Sequence, residues 1–289
     1  MSGYTDFAYR QILKKFNPDL MYCEMINSNL LIQDNYNTLN SIMRISEDEN
    51  TGLQLFGSNI EDLYNNFIKL NDLGYKNLLL NLGCPQPKIL KNGAGSNMLH
   101  RIEEIDDLIT SLNLKKIKIS LKIRHSEYTN KYFDLANKQK IPYLCIHTRN
   151  KEQLFKGQAD HKITKKLSLL DRDFKFIANG DIHSLEDYEK ISKLNIDGVM
   201  LARGIIGNPY LIQEIKSGKK IKHNLEDTKN LVLEHLNYLK EDKGEQKASL
   251  EINKFLKEYF KNLDKTILKG IILDKVFNNK ANKIKQITL

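Results

Sequence analysis

The sequence contains no apolar run of about 18 residues, no stretch that resembles a signal peptide, and only three cysteines. Without a transmembrane segment, we expect a cytoplasmic protein with no membrane partner. Three cysteines without metal-type spacing argue against a disulfide scaffold and a metal site, and they fit a reducing compartment. Cys23 and Cys145 lie in strand-like runs and are interpreted as core residues, whereas Cys84 lies in a predicted loop.

The length and the net charge limit the classes of protein to which the chain can belong. The chain has 289 residues, enough for a barrel-sized domain and a smaller one, and 40% of them are hydrophobic, as is usual for a globular protein. The formal net charge of +9 at pH 7 favours a polyanionic partner. A lysine-rich proteome would give the same charge, so charge alone leaves the partner open.

Short apolar runs alternate with helical patterns along most of the chain, which is typical of βα units and a parallel sheet. The predicted strands are 19–26, 52–56, 77–81, 117–122, 142–147, 174–178 and 198–201. Helical patterns cover 6–16 and 60–73, and the second has apolar residues at intervals of three and four.

Polar side chains stand at or just after the C-terminal ends of these strands. They are Gln54, Asn81, Lys122, His147, Asn179 and Arg203. Because a (β/α)₈ barrel builds its site on that face, the pattern favours an α/β fold of the TIM-barrel type. An open doubly wound sheet would usually have a glycine-rich first turn, and no G-x-G-x-x-G follows the first predicted strand.

One thiol lies in the loop that follows the strand at 77–81. The loop contains several glycines and prolines, and Cys84 stands near its start. Loops held by a rigid strand often carry functional side chains, which favours a chemical role for this thiol. A small buried cysteine in a tight turn fits the same spacing, and the residues alone do not decide between the two.

Two glycine-containing loops follow the last two predicted strands. They contain Asn179, Gly180 and Asp181 in the first case and Ala202 and Arg203 in the second. In barrels such loops commonly offer backbone N–H groups to a phosphate, and Arg203 would add a charged contact. A pair of ordinary barrel loops is the alternative. Lys122 would lie in the barrel mouth, where a charged side chain must be paired or solvated.

The C-terminal part has a different character. After residue 209 no strand pattern occurs, and the basic stretch 216–222 is interpreted as a linker. Helical patterns at 225–239, 249–263 and within 265–285 predict a small all-helical domain at 223–289, after a barrel domain at 1–215. Lys254, Lys257 and Lys261 form a basic stripe beside an apolar one, which fits either a solvated helix face or an RNA-binding face.

Seven short segments occur in the order typical of one family. They are 2–6, 54–57, 81–85 (Asn-Leu-Gly-Cys-Pro, followed by Gly93, Gly95 and Leu99), 121–124, 146–149, 179–182 and 207–209. With these segments the chain resembles the tRNA-dihydrouridine synthases, flavin enzymes that reduce uridine in tRNA, over nearly its whole length. The family more often has glycine where Ala202 stands, which is a departure from its pattern.

The resemblance implies FMN as the cofactor and NADPH as the reductant. It implies a role in flavin binding for Met1, Ser2, Gln54, Lys122, His147 and the two glycine-containing loops. Among these, Lys122 would stabilise the negative charge of the reduced ring, and Gln54 would contact its pyrimidine edge.

The resemblance also implies tRNA as the partner. Cys84 would give a proton to carbon 5 of uracil after hydride has added to carbon 6. Asn81 and Arg149 would contact the substrate, and the lysine stripe would contact the tRNA. We expect the enzyme to act as a monomer.

The family's barrel begins with a strand that ends in Ala-Pro-Met, and Met1 matches that methionine. We therefore expect seven barrel strands, with the first strand missing or truncated.

Two other functions fit parts of the sequence. An FMN-dependent barrel that reduces a small molecule is disfavoured by the basic stripe, since a small substrate needs no basic appendage. A non-catalytic tRNA-binding remnant is disfavoured because Cys84, Lys122, Gln54 and His147 are all present.

Overall fold

Seven parallel strands form the centre of the molecule, whose computed structural model describes residues 1–32, 44 and 50–288. The strands are β1 (Met21–Asn27), β2 (Thr51–Phe56), β3 (Leu78–Leu82), β4 (Ile119–Arg124), β5 (Tyr143–His147), β6 (Lys175–Asn179) and β7 (Gly198–Met200). Each neighbour in the sheet is the next strand along the chain, and all pairs are parallel. All seven predicted strands are present.

Helices alternate with these strands. They are α1 (Phe7–Lys14), α2 (Ser28–Ile32), α3 (Ile60–Asp72), α4 (Pro87–Lys91), α5 (Ile102–Leu114), α6 (Thr129–Gln139), α7 (His161–Ser168), α8 (Leu185–Ser192) and α9 (Tyr210–Ser217). Short 3₁₀ segments cover Gly95–His100 and Arg203–Ile205. The predicted barrel topology with seven strands is confirmed, and within the described ranges no ladder joins β1 to β7. None of the described helices is both long and apolar enough to span a membrane.

The two faces of each strand have different environments because successive side chains point to opposite faces. On β4, Leu121 and Ile123 are fully buried in a core that also contains Leu108 of α5 and Phe133 of α6. Lys122 stands between them and therefore points to the inside of the curled sheet. The apolar side chains of the outer face pack against the helices, whereas polar side chains such as Lys122 lie on the inner face.

Five more helices follow α9 in the described part of the chain. They are α10 (Leu225–Lys243), α11 (Glu245–Glu251), α12 (Asn253–Tyr259), α13 (Lys265–Ile272) and α14 (Phe277–Lys285). The predicted helix at 249–263 is wrong at both ends: α11 begins at Glu245, and α12 ends at Tyr259. Phe260 leaves the helical conformation (φ −115°, ψ 49°) and its side chain is buried in the C-terminal core.

The N-terminal helix α1 shares its hydrophobic core with these C-terminal helices. The ring of Tyr9 lies 4.7 Å from that of Phe255 and 5.2 Å from that of His235, measured between centroids. The Tyr9 hydroxyl donates a hydrogen bond to the carbonyl of Ile205. The loop that follows Ile205 approaches α12 closely at Gly207. A Cβ at Gly207 would lie 2.3 Å from the carbonyl carbon of Glu258.

A largely buried ion pair joins the same elements. Lys243 Nζ lies 2.5 Å from Asp6 Oδ2 and 2.7 Å from Glu251 Oε2. The other oxygen of Asp6 accepts a hydrogen bond from the Tyr9 N–H at 2.9 Å and so caps α1. Lys243 therefore connects the start of α1 to α10 and α11.

We expect Lys243→Ala to lower the free energy of unfolding by about 3 kcal/mol, because it leaves the buried Asp6 carboxylate without its cation. The control is Lys220→Ala, which removes a solvent-exposed pair with Glu186 and should leave the free energy of unfolding nearly unchanged. Urea unfolding of both variants measures the difference. Equal midpoints for the two would contradict a structural role for the buried pair.

Candidate functional site

The strand register brings the polar side chains of the inner face together at the C-terminal edge of the sheet. Asn81 on β3 is paired with Lys122 on β4. His147 on β5 is paired with Arg124 on β4 and with Asn179 on β6. These neighbouring residues form what we call the mouth of the barrel.

Two amide side chains at the mouth are held in fixed orientations. Gln54 Nε2 donates to the carbonyl of Cys23 at 2.8 Å, and Asn81 Nδ2 donates to Gln54 Oε1 at 2.9 Å. Asn81 Oδ1 accepts from the Gly83 N–H at 3.0 Å. Asn81 thus connects Gln54 to the start of the loop that carries Cys84.

Cys84 is buried, with 9% of its surface exposed, and its backbone is held in place. Its carbonyl accepts from the Ser96 N–H at 3.0 Å. A Cβ at Gly95 (φ +63°) would lie 2.5 Å from that carbonyl oxygen, so this approach requires glycine. Burial raises the pKa of the Cys84 thiol, outweighing the Gln86 N–H and the charge of Lys122. The thiol is therefore protonated at neutral pH.

Arg124 is a residue of the mouth that the sequence did not single out. It is 2% exposed, and its Nε donates to the carbonyl of Gly83 at 3.1 Å. Its Nη1 donates to the carbonyls of Asn150 and Leu154 at 2.9 and 2.8 Å. Burial lowers the pKa of its guanidinium to about 10. Arg124 thus joins the Cys84 loop to the loop after β5. In the sequence, its position two residues after Lys122 indicates that the two side chains point to the same face of the strand.

His147 presents a neutral imidazole to the mouth. Its Nδ1 accepts from the Arg149 N–H at 3.3 Å, which places the ring hydrogen on Nε2. Burial lowers the pKa of His147 to about 2, and the charges of Lys122, Arg124 and Arg149 act in the same direction. His147 can therefore donate one hydrogen bond from Nε2 without carrying a charge.

Asp181 holds two arginines next to the mouth. Arg149 Nη2 donates to its Oδ2 at 2.6 Å, and Arg203 Nη2 donates to its Oδ1 at 3.1 Å. Burial acts to raise the pKa of Asp181, but the hydrogen bonds from Arg149 and the Ala159 N–H lower it below its usual value. Arg149 is 2% exposed, and its buried Nη1 has no hydrogen-bond partner among the residues that the structure describes. This cluster can accept an anionic group.

The loops after β6 and β7 allow a close approach of backbone. Gly180 has φ +125°, and a Cβ there would lie 2.7 Å from the Cβ of Ala159. A Cβ at Gly204, directly after Ala202 and Arg203, would lie 2.1 Å from the carbonyl oxygen of Ile182. Both positions therefore require glycine.

Lys122 and Asn179 complete the inner surface. In the described part of the chain, no carboxylate lies within ion-pair distance of Lys122, and burial lowers the pKa of its ammonium group. Asn179 Nδ2 donates to the carbonyl of Met200 at 2.7 Å, which fixes the Asn179 side chain between β6 and β7. A half-buried cation without a carboxylate partner in the described ranges, together with the unbonded Nη1 of Arg149, fits a site for an anionic group.

Met1 and Ser2 lie in the turn that precedes α1. The Met1 carbonyl accepts from the Tyr4 and Thr5 N–H groups, both at 3.0 Å, and Ser2 is exposed. The C-terminal helices touch this turn, because the ring of Tyr4 packs edge-on against that of Phe255 at 5.4 Å.

The three lysines of the basic stripe lie on α12 and just after it. Lys254 is partly buried: its Nζ is 3.3 Å from Glu251 and lies 5.8 Å from the centre of the Tyr4 ring. Lys257 is exposed, and Lys261 Nζ is 3.2 Å from Glu258. Two of the three lysines therefore have an acidic neighbour.

Comparisons with known proteins agree on one family. The family model described as "Dihydrouridine synthase (Dus)" matches residues 1–287. A probable tRNA-dihydrouridine synthase of Rickettsia bellii is 30% identical, over 85% of this chain and 79% of its own. The corresponding Aquifex aeolicus protein is 26% identical, over 91% and 85%. The solved structure of morphinone reductase shares the fold, with TM-score 0.50 and 10% identity over 77% of this chain and 83% of its own.

We expect Arg124→Ala to increase amide hydrogen exchange at 83–84 and 150–155 roughly tenfold or more, because three carbonyls lose their donors. The control is Arg172→Ala, which removes a half-buried arginine bonded to Asn195 and Asp197 in another loop. Its effect should be confined to that loop. Unchanged exchange at both Arg124-linked loops would show that the guanidinium does not hold them.

Proposed function

The chain belongs to the dihydrouridine synthase family, and we propose that it reduces specific uridines in tRNA to 5,6-dihydrouridine, with FMN as the cofactor and NADPH as the reductant. The observation that carries the proposal is the meeting of three groups at one mouth. These are a protonated thiol at Cys84, an ammonium without a carboxylate partner at Lys122 and a neutral imidazole at His147. We further propose that the enzyme acts as a cytoplasmic monomer.

The residues of the mouth suit a flavin nucleotide. Bound FMN would supply the hydride. Lys122 would balance negative charge on the ring, and the Gln54 amide keeps one donor and one acceptor site beyond its two present bonds. The flavin phosphate would be held by the loops at 179–181 and 202–203, with Arg203 as the charged contact. His147 would donate from Nε2, and the backbone of Met1 and Ser2 would complete the site.

Cys84 would act as the general acid. Saturation of the uracil double bond needs a proton at carbon 5 once hydride has reached carbon 6, and a protonated thiol can give it. The proton leaves Sγ for carbon 5, and the charges of Lys122 and Arg124 stabilise the thiolate that remains. Asn81 fixes the start of the loop, and both Asn81 and Arg149 would contact the base.

The substrate must be turned out of the RNA stack to reach this mouth. Lys254, Lys257 and Lys261 would then bind the phosphate backbone of tRNA outside the mouth. The two acidic neighbours of this stripe reduce its net charge, so Lys257, which is exposed, would make the strongest of these contacts.

The direct test of the function uses purified protein with FMN, NADPH and an unmodified tRNA transcript. Mass spectrometry should detect a uridine that has gained two hydrogens. A deletion strain of the source organism should lack dihydrouridine at the same position of its tRNA. Absence of the product in the first experiment, with flavin bound and reduced, would contradict the proposal.

We expect Cys84→Ala to keep FMN but to lose about 10²–10⁴-fold of the rate of dihydrouridine formation, as expected for a positioned acid. Because burial raises the pKa of the thiol, the wild-type rate should stay constant from neutral pH upward and fall only above the ordinary thiol range. Cys23→Ala, at a buried cysteine of β1, is the control and should remain active. Equal single-turnover rates for Cys84→Ala and wild type would rule out the acid role.

We expect replacement of Lys254, Lys257 and Lys261 by glutamine to weaken tRNA binding without affecting NADPH oxidation in the absence of tRNA. Each lost phosphate contact should flatten the slope of log affinity against log salt by ~0.7–0.9. The control replaces Lys162, Lys165 and Lys166, three exposed lysines of α7, and changes the net charge equally. If both triple variants have the same slope, the stripe is a solvated helix face.

A further inference from the structure

A cavity of about 510 Å³ lies beside the mouth, between the loops that follow β3, β4 and β5. Its lining includes Ser96, Arg124, His125, Tyr128, Asn150 and Lys151. Apart from Arg124, the cavity is lined by none of the side chains that the proposed mechanism uses. Its volume is in the range of pockets that bind small ligands.

The buried floor of this cavity combines an unbonded hydroxyl with a guanidinium. Ser96 is 5% exposed, and in the described part of the chain its hydroxyl has no hydrogen-bond partner. Arg124 donates from Nε and Nη1 to main-chain carbonyls, and within the described ranges no carboxylate lies at ion-pair distance from it. Buried polar groups in native proteins are nearly always bonded, so an unbonded hydroxyl beside a guanidinium that lacks a carboxylate partner in the described ranges indicates an anionic ligand.

The walls and rim of the cavity suit the rest of a nucleotide. Tyr128 and His125 provide aromatic rings, on which nucleic-acid bases stack. Lys151 at the rim is exposed and positively charged. Glu127 and Glu152 also line the cavity, but both are exposed, so solvent and salt screen their charges. The buried floor is therefore cationic, and the acidic groups are restricted to the rim.

Hydrogen bonds connect residues of the cavity to the loop that carries Cys84, the proposed general acid. The Ser96 N–H donates to the carbonyl of Cys84, and Arg124 Nε donates to the carbonyl of Gly83. A uridine turned toward Cys84 would therefore bring the next nucleotide of the same strand to this cavity.

We propose that the cavity binds the nucleotide adjacent to the target uridine in tRNA, with its phosphate against Arg124 and Ser96 and its base against Tyr128. This inference rests on the proposed function. It gives the enzyme a second contact with the RNA strand beside the reacting base, separate from the lysine stripe of α12.

The test compares Ser96→Ala and Tyr128→Ala with wild type in the FMN-loaded full chain. Since the Ser96 hydroxyl has no protein partner, Ser96→Ala should leave the melting temperature unchanged. Each variant should bind an unmodified tRNA transcript about tenfold more weakly, through loss of a charged hydrogen bond or of a stacked base. Reduction of the bound flavin by NADPH without tRNA should proceed at the wild-type rate.

The matched controls are Ser111→Ala and Tyr64→Ala. Both residues line a smaller cavity of about 370 Å³ between α3 and α5, on the outside of the barrel. The two substitutions remove a hydroxyl and an aromatic ring, as the test variants do, but from a cavity to which the proposal assigns no ligand. Both control variants should therefore bind tRNA as wild type does.

Wild-type tRNA affinity in both Ser96→Ala and Tyr128→Ala would overturn the proposal. A raised KM for NADPH with unchanged tRNA affinity would also overturn it, and would assign the cavity to the nicotinamide nucleotide instead. A failure of the proposed function is recognised separately, because wild-type protein would then form no dihydrouridine at all.

Discussion

The site depends on one constraint, which is parallel pairing of the strands in chain order with a fixed register. Because all strands run in the same direction, their C-terminal ends meet at one edge. The register then decides which side chains are neighbours, and it places Asn81 beside Lys122 and Arg124 beside His147. A shift of one residue along β4 would send Lys122 into the outer core and a leucine or isoleucine into the mouth. Burial of the apolar outer face of the sheet therefore fixes the register, and with it the polar side chains that point into the mouth.

A second property of the mouth is an excess of positive charge over negative charge. Lys122, Arg124, Arg149 and Arg203 all lie there, and Asp181 accepts from the last two. Burial of cations is costly unless an anion or several hydrogen bonds compensate for it. Arg124 donates to three carbonyls but has no carboxylate partner within the described ranges. In the same ranges Nη1 of Arg149 has no hydrogen-bond partner, and the half-buried Lys122 has no carboxylate at ion-pair distance. The folded protein thus has a preformed preference for an anionic occupant.

The sequence predicted those features that arise from local patterns. Each strand was found from its short apolar run, and polar residues at strand ends indicated the barrel. Arg124 was missed because the predicted strand stopped at 122, whereas β4 continues to Arg124 and turns its side chain inward. The burial of Cys84 was one of two interpretations that the sequence left open, since it depends on Ser96 and Gly95 in a separate turn. The end of α12 at Tyr259 and the packing of α1 depend on tertiary contacts that no local pattern contains.

The shared core of α1 and the C-terminal helices has a consequence for the order of folding. On the ribosome α1 is made long before the C-terminal helices, yet the Asp6 carboxylate at its start pairs with Lys243, 237 residues further along the chain. Closing so long a loop carries a large entropic cost, and contacts of this range slow folding. Until the last helices have emerged, the apolar side of α1, with Tyr9 and Ile12, has no lasting partner and is exposed to aggregation or chaperone binding. The barrel and the C-terminal helices therefore complete folding together, once these helices have left the ribosome.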